Sequence, residues 1–244
     1  MATYVLVHGA WGGGWVWKKI IPVLRRNGHD VYATTGTGLG DRVHLASAAV
    51  DLDTHITDVV NVLAFEELTD VTLVGWSYGG MIITGVAERV PERLARLVYL
   101  DALLPADGEN AYDAELSSEE VRAADRAAAE AAGMPGFLVV EPYVEWLGSL
   151  IPDPDDRAWL LAKLVPQPLA TYTQPIRLGN PAAAAVRRAF VFCTECKDPA
   201  GDALTSTASR LRSDPGWSFR ELVGNHLAPI HAPEATAEAL LSLL

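Results

Sequence analysis

Basic residues and cysteine are scarce in this sequence. Nineteen lysines and arginines stand against 31 aspartates and glutamates, for a formal net charge of −12. An acidic surface repels polyanions at long range, which excludes nucleic acid and anionic membrane surfaces as partners. The two cysteines, Cys193 and Cys196, form a C-x-x-C with no second pair and no nearby histidines, a poor zinc site. The pair ends a late strand instead of opening a helix in an early βαβ unit, so two ordinary thiols in a reducing cytosol are expected. No basic region or cleavage site precedes the first strand, and no signal peptide is expected. Residues 71–87 carry no formal charge, but four glycines, a serine and a tyrosine make them a turn between elements and not a membrane span. G-x-G-x-x-G does not follow the first strand and no Walker lysine occurs, which argues against dinucleotide or phosphate binding. Repeats and low-complexity linkers are missing too.

What is present suits one α/β domain. The chain has 244 residues and half are hydrophobic, enough for a substantial core. Its organising stretch is Val71-Thr-Leu-Val-Gly-Trp-Ser-Tyr-Gly-Gly80. A run of aliphatic and β-branched residues reads as a buried strand and Met81–Val90 as a helix. Between them Gly75-Trp-Ser-Tyr-Gly79 fits G-x-S-x-G. A serine on so sharp a strand-to-helix turn is strained, and its Oγ stands out at the sheet edge near a helix N-terminus. Ser77 is the expected nucleophile.

Its partners follow from the other strand ends. Tyr4–Val7 runs into His8-Gly-Ala-Trp-Gly-Gly-Gly-Trp15, a loop whose backbone approaches a ligand closely. The N–H groups of Ala10 and Tyr78 are the expected oxyanion donors, worth about 3 kcal/mol each. Trp11 lies beside that donor and is placed against substrate; Trp15 and Trp17 read as core filler. The strand Leu94–Leu100 ends at Asp101, well placed to orient a histidine. His226 occurs in a loop after the last strand, Trp217–Val223, and is the expected base; His231 is read as beginning the terminal helix. His44 reads as a loop brace and His55 as a surface or packing residue. Further helices are expected over 18–27 and 51–63.

From Ala106 to about Pro181 the composition shifts to Ala, Glu and Arg with scattered prolines, and no strand pattern interrupts it. It reads as a helical cap inserted into one domain spanning residues 1–244. Ser117 or Ser118 caps a first helix, with others near Tyr143–Leu150 and Asp155–Val165. Trp76, Leu103 and Trp146 join Trp11 as candidate pocket residues, and the cap aromatics Tyr143, Trp159 and Tyr172 are further candidates for an apolar lining, although packing alone explains most of them.

These residues together resemble the α/β-hydrolases, in the branch of plant methylesterases, hydroxynitrile lyases and bacterial salicylate-ester-type esterases. The likeness is carried by the strand–His8-Gly-Ala loop, Gly38-Leu-Gly-Asp-Arg-Val-His-Leu45, the serine elbow, Leu97-Val-Tyr-Leu-Asp-Ala102, and His226 with Ala232-Pro-Glu234. It implies the α/β-hydrolase fold, a doubly wound, mostly parallel sheet with a helical cap, and no cofactor or metal. Three positions depart from the family pattern. Trp76 replaces the usual histidine before the serine. Asn225-His226-Leu227 replaces Gly-His-Asp. The usual acid position holds Cys196. Asp198 and Asp202 follow in a longer loop, whereas Asp101 occupies the strand end where the similar haloalkane dehalogenases keep their acid. Asp101 is the expected choice.

The expected activity is a serine carboxylesterase acting on a small or medium apolar ester, aromatic or polyketide-derived esters included. Two rivals use the same residues: a lyase or cyclase running acid–base chemistry on the Ser/His pair, and a ligand-binding protein on a hydrolase scaffold. A small-molecule substrate is the expected partner, and a homodimer is left open.

Overall fold

A computed structural model describes residues 1–195 and 203–244 in full and residues 201 and 202 by their backbone. Cys196, Asp198 and the Asp202 side chain therefore lie outside the described residues. The first half alternates strand and helix: β1 (Thr3–Val7), α1 (Ile21–Arg26), β2 (Asp30–Thr34), α2 (Leu52–Phe65), β3 (Val71–Trp76), α3 (Gly79–Arg89) and β4 (Leu94–Leu100). Then come α4 (Ala111–Ala114), α5 (Glu119–Ala131), β5 (Phe137–Leu138), α6 (Val144–Ser149), α7 (Pro154–Leu161), β6 (Gln167–Pro168), α8 (Ala170–Thr173) and α9 (Pro181–Ala184). The chain returns through β7 (Arg187–Cys193), α10 (Gly201–Leu211), β8 (Trp217–Leu222), α11 (Ala228–His231) and α12 (Pro233–Leu241).

Six strands form one sheet in the order β2-β1-β3-β4-β7-β8, with every pairing parallel. A parallel sheet needs helices on both faces, so its inner strands read as continuous apolar runs, and all six residues of β3 are buried. The chain leaves β1 toward β2 on one side and returns past it to β3 on the other. Right-handed crossovers in opposite directions put α1 and α2 on opposite faces and open a crevice beyond the carboxyl ends of β1 and β3. His8 and Ser77 follow those two ends.

Asp51 caps α2 by accepting the Thr54 N–H at 2.9 Å, and Ser118 caps α5. The helix expected over 18–27 is shorter, because a 3-10 turn at Gly14–Trp17 takes up the chain before Pro22. Two further expectations are corrected. The stretch after β4 is not free of strands: β5 and β6 pair antiparallel, Phe137 with Pro168 and Leu138 with Gln167. Two-residue strands carry no readable alternation, and Pro168 argues against a strand locally. His231 ends α11 instead of starting the terminal helix, which Pro233 opens. Trp17 is wholly buried as expected, while Trp15 is half-buried, edge-on to Trp159 at 5.0 Å.

Candidate active site

The serine stands where β3 turns into α3. Its φ is 56°, a left-handed conformation that is costly for a residue with a Cβ. The turn closes so tightly that a Cβ on Gly75 would sit 2.5 Å from the Gly79 carbonyl oxygen. Only glycine permits that approach, and it leaves Ser77 half-buried with its Oγ turned to the crevice.

Asp101 follows β4 with a φ of 44°, donates its N–H to the Val191 carbonyl at 2.7 Å and is completely buried. Its Oδ1 accepts the Cys193 N–H at 3.0 Å, and Oδ2 lies 2.8 Å from Nδ1 of His226. Nε2 of the same imidazole lies 2.9 Å from Ser77 Oγ. A carboxylate accepts only, so in the neutral ring the hydrogen sits on Nδ1 and Nε2 is left to accept from the serine hydroxyl. The loop that carries His226 is tied down on both sides. Trp76 Nε1–H donates to the His226 carbonyl at 2.8 Å, and Asn225 donates from Nδ2 to the Leu150 carbonyl at 2.8 Å. Asn225 Oδ1 in turn accepts the Leu227 N–H and faces His231 Nε2, each at 2.9 Å. Trp76, which stands where the family writes histidine, thus braces the loop of the imidazole.

On the other side of the serine runs His8-Gly9-Ala10-Trp11. His8 is buried; its Nε2 accepts the Gly36 N–H at 3.1 Å and its Nδ1–H donates to the Gly9 carbonyl at 2.7 Å. Burial lowers its pKa to about 4, so the ring stays neutral and in this tautomer. Gly9 C=O and Ala10 N–H belong to one peptide unit, so the His8 imidazole holds the plane that contains the Ala10 N–H. Tyr78 occupies the N-cap of α3, where backbone N–H groups have no intrahelical acceptor. Its phenol faces His55 Nδ1 at 3.2 Å, its ring stacks on Tyr172 at 5.2 Å, and burial pushes its pKa far up. His55 is wholly buried and its Nε2 bonds the Thr37 carbonyl, a packing role. His44 is exposed.

A cavity of about 330 Å³ opens onto Ser77 and His226, and Ala10, Trp11, Trp76, Leu103 and Trp146 all line it. Trp159, a further candidate, is not among the described lining residues and packs against Trp15 instead. Tyr143 and Tyr172, the other cap aromatics expected at a pocket, line it too and belong to a hydroxyl–carboxylate group that was not expected. Tyr112 and Tyr143 donate their hydroxyls to the two oxygens of Asp125 at 2.8 and 2.6 Å, and Tyr172 donates to Glu115 at 3.2 Å. No lysine or arginine is among the described lining residues. The tyrosines and carboxylates come from four separate stretches, and no local spacing announces that they meet. His8, Asn225 and Gln167 also escaped notice as supports, although His8 stands in the glycine-rich loop already singled out.

The chain is thus an α/β protein with a doubly wound parallel sheet, and a strained serine, an imidazole and a carboxylate stand hydrogen-bonded in series at its carboxyl edge. The model of the alpha/beta hydrolase family matches residues 4–239, and the chain belongs to that family. It is 37% identical to a carbendazim hydrolyzing esterase of Nocardioides sp. (strain SG-4G), over the whole of both chains. It is 34% identical to methylesterase 1 of Arabidopsis thaliana over 42% of this chain and 40% of that one. Among solved structures it superposes on an extracellular alpha/beta-hydrolase from a Paenibacillus species with a TM-score of 0.81, covering 99% and 98% of the two chains. At 22% identity that last likeness speaks for the fold. The branch expected from the sequence is the one these relatives occupy. No described helix is long and apolar enough to cross a membrane.

Proposed function

We propose that this protein is a serine carboxylic ester hydrolase that cleaves small or medium, uncharged, largely apolar esters through an acyl-enzyme on Ser77. The observation that carries the reading is the unbroken chain from Asp101 Oδ2 through His226 to Ser77 Oγ, at 2.8 and 2.9 Å, opening on an aromatic cavity. Oγ attacks the ester carbonyl carbon while its proton passes to Nε2 of His226. Asp101 keeps the ring in the accepting tautomer and stabilises the imidazolium. The N–H groups of Ala10 and Tyr78 receive the charge that develops on the carbonyl oxygen. The leaving alkoxide departs with the proton from Nε2, and water, deprotonated by the same nitrogen, releases the acid and restores the serine. The segment 106–181 acts as a cap over the site, and cysteine usage argues for the cytosol as the compartment.

Relatives named as esterases, one of them along the full chain, favour hydrolysis over elimination or passive binding. The test uses p-nitrophenyl acetate and butyrate, with carbendazim as a third substrate because of the Nocardioides relative. The wild type is expected to turn over at least one of them and to gain one fluorophosphonate adduct by intact mass. Ser77→Ala is expected to lose both. Turnover that survives in the folded Ser77→Ala variant overturns the reading.

A further inference from the structure

The backbone that carries the Ala10 donor is gripped from outside the parallel sheet. Ala10 is flanked by two peptide planes. One contains its own N–H and is held by His8 through the Gly9 carbonyl. The next contains the Trp11 N–H, which donates at 2.9 Å to Oε1 of Gln167. Trp11 has a φ of 57°, a strained conformation that persists only where its surroundings over-determine it. Its carbonyl accepts the Val165 N–H at 3.1 Å and its indole Nε1–H donates to the Leu138 carbonyl at 3.0 Å. All three partners lie between β4 and β7, in or beside the β5–β6 pair.

Gln167 is itself completely buried, and its Nε2 donates to Thr171 Oγ1 at 2.7 Å. Thr171 Oγ1 donates onward to the Pro168 carbonyl at 2.7 Å, which orients the hydroxyl so that it can accept from the amide. That fixes which end of the amide faces Trp11: nitrogen toward Thr171, oxygen toward the loop. A leucine of similar size would fill the space without burying a polar group, so what the glutamine adds is one oriented acceptor.

We propose that Gln167 is a positioning residue for ester cleavage: by accepting the Trp11 N–H it fixes the peptide next to Ala10 and thereby the direction of the Ala10 N–H toward the developing oxyanion. The inference rests on the ester-hydrolase reading, in which Ala10 is a donor. It makes the segment between β4 and β7 part of the catalytic geometry and not only a cover. A donor displaced by a fraction of an ångström serves the substrate carbonyl nearly as well but loses the transition state, so the effect belongs in kcat.

The experiment compares wild type, Gln167→Leu and Gln167→Glu on a p-nitrophenyl ester, with affinity for a trifluoromethyl ketone that adds reversibly to a serine as a mimic of the tetrahedral state. Gln167→Leu is expected to lower kcat about 10- to 100-fold with KM within about twofold, and to weaken the ketone by the same factor as kcat/KM. Gln167→Glu keeps an oxygen facing Trp11 and is expected to recover most of the loss, which a merely structural role for the amide would not require. Amide hydrogen exchange at Trp11 is expected to accelerate in Gln167→Leu and not in Gln167→Glu. Should Gln167→Leu fail to fold, Thr171→Val releases the amide and is expected to shift kcat and ketone affinity the same way by a smaller factor. A folded Gln167→Leu with wild-type kcat and ketone affinity, or a Thr171→Val unchanged in both where the leucine variant does not fold, overturns the proposal. A wild type that cleaves no ester is instead a failure of the ester reading. In that case unchanged Trp11 exchange in Gln167→Leu still overturns the clamp.

Discussion

Leu103 donates its N–H to the carbonyl of Ser77 at 3.0 Å, and through that bond the loop that carries Asp101 is fastened to the turn that carries the serine. Asp101 and Ser77 are therefore set relative to each other without help from the loop that carries His226. The contact is close elsewhere as well: a Cβ on Gly80 would lie 2.0 Å from the Leu103 carbonyl oxygen. Gly80→Ala is expected to force the two backbones apart, costing about 3 kcal/mol in urea unfolding and most of the esterase activity. An unchanged unfolding midpoint would show that the Asp101 loop yields freely.

Asp101→Asn separates orientation from packing. The asparagine oxygen can still accept the Cys193 N–H, which turns the amide nitrogen toward His226. The imidazole must then accept at Nδ1 and carry its hydrogen on Nε2, facing the serine as a donor. A fall in kcat of about 10⁴ with little change in thermal stability is expected. Retention of more than a tenth of wild-type kcat would show that another carboxylate serves.

Buried neutral imidazoles give stability a pH dependence of known sign. His8 is pushed down from 6.5 to about 4 by burial, and His55 is lowered for the same reason. The unfolded chain takes up those protons first. The His8 contribution is therefore fully present above about pH 6.5 and is lost as the pH falls toward 4. The loss amounts to about 2 kcal/mol by pH 5. Denaturant unfolding at pH 7 and pH 5 checks this, and equal stability at the two values would contradict it.

Asp125 puts a carboxylate in the cavity wall, where its described partners are the hydroxyls of Tyr112 and Tyr143. An ester bearing a second carboxylate meets that group at short range and is disfavoured. Asp125→Asn is expected to raise kcat/KM for a carboxylate-bearing nitrophenyl ester several-fold, about 1 kcal/mol, relative to its neutral counterpart. A ratio that stays constant would remove Asp125 from substrate selection.

Sequence by itself determined whatever a short stretch of chain can encode. The alternation of buried strands and helices, the elbow at Ser77, the glycine-rich loop after β1 and the strand end at Asp101 are all local, because each depends on side-chain periodicity or on a turn that only particular residues can make. Those residues were enough to name the fold and the family, and they pointed to Ser77, Asp101 and His226 at the sheet edge and to Trp11, Trp76, Leu103 and Trp146 as pocket residues. Tertiary structure alone decided the rest. Which carboxylate meets Nδ1 of His226 depends on two loops more than a hundred residues apart in the chain, and geometry at the end of β4 brings Asp101 there. The β5–β6 pair is too short to leave a pattern. Trp76 bonds the loop of the imidazole, Gln167 the loop of Ala10, and Asp125 two tyrosines, all through single hydrogen bonds between distant segments. A hydrogen bond needs distance and direction in space, and neither is written in the order of residues along a chain.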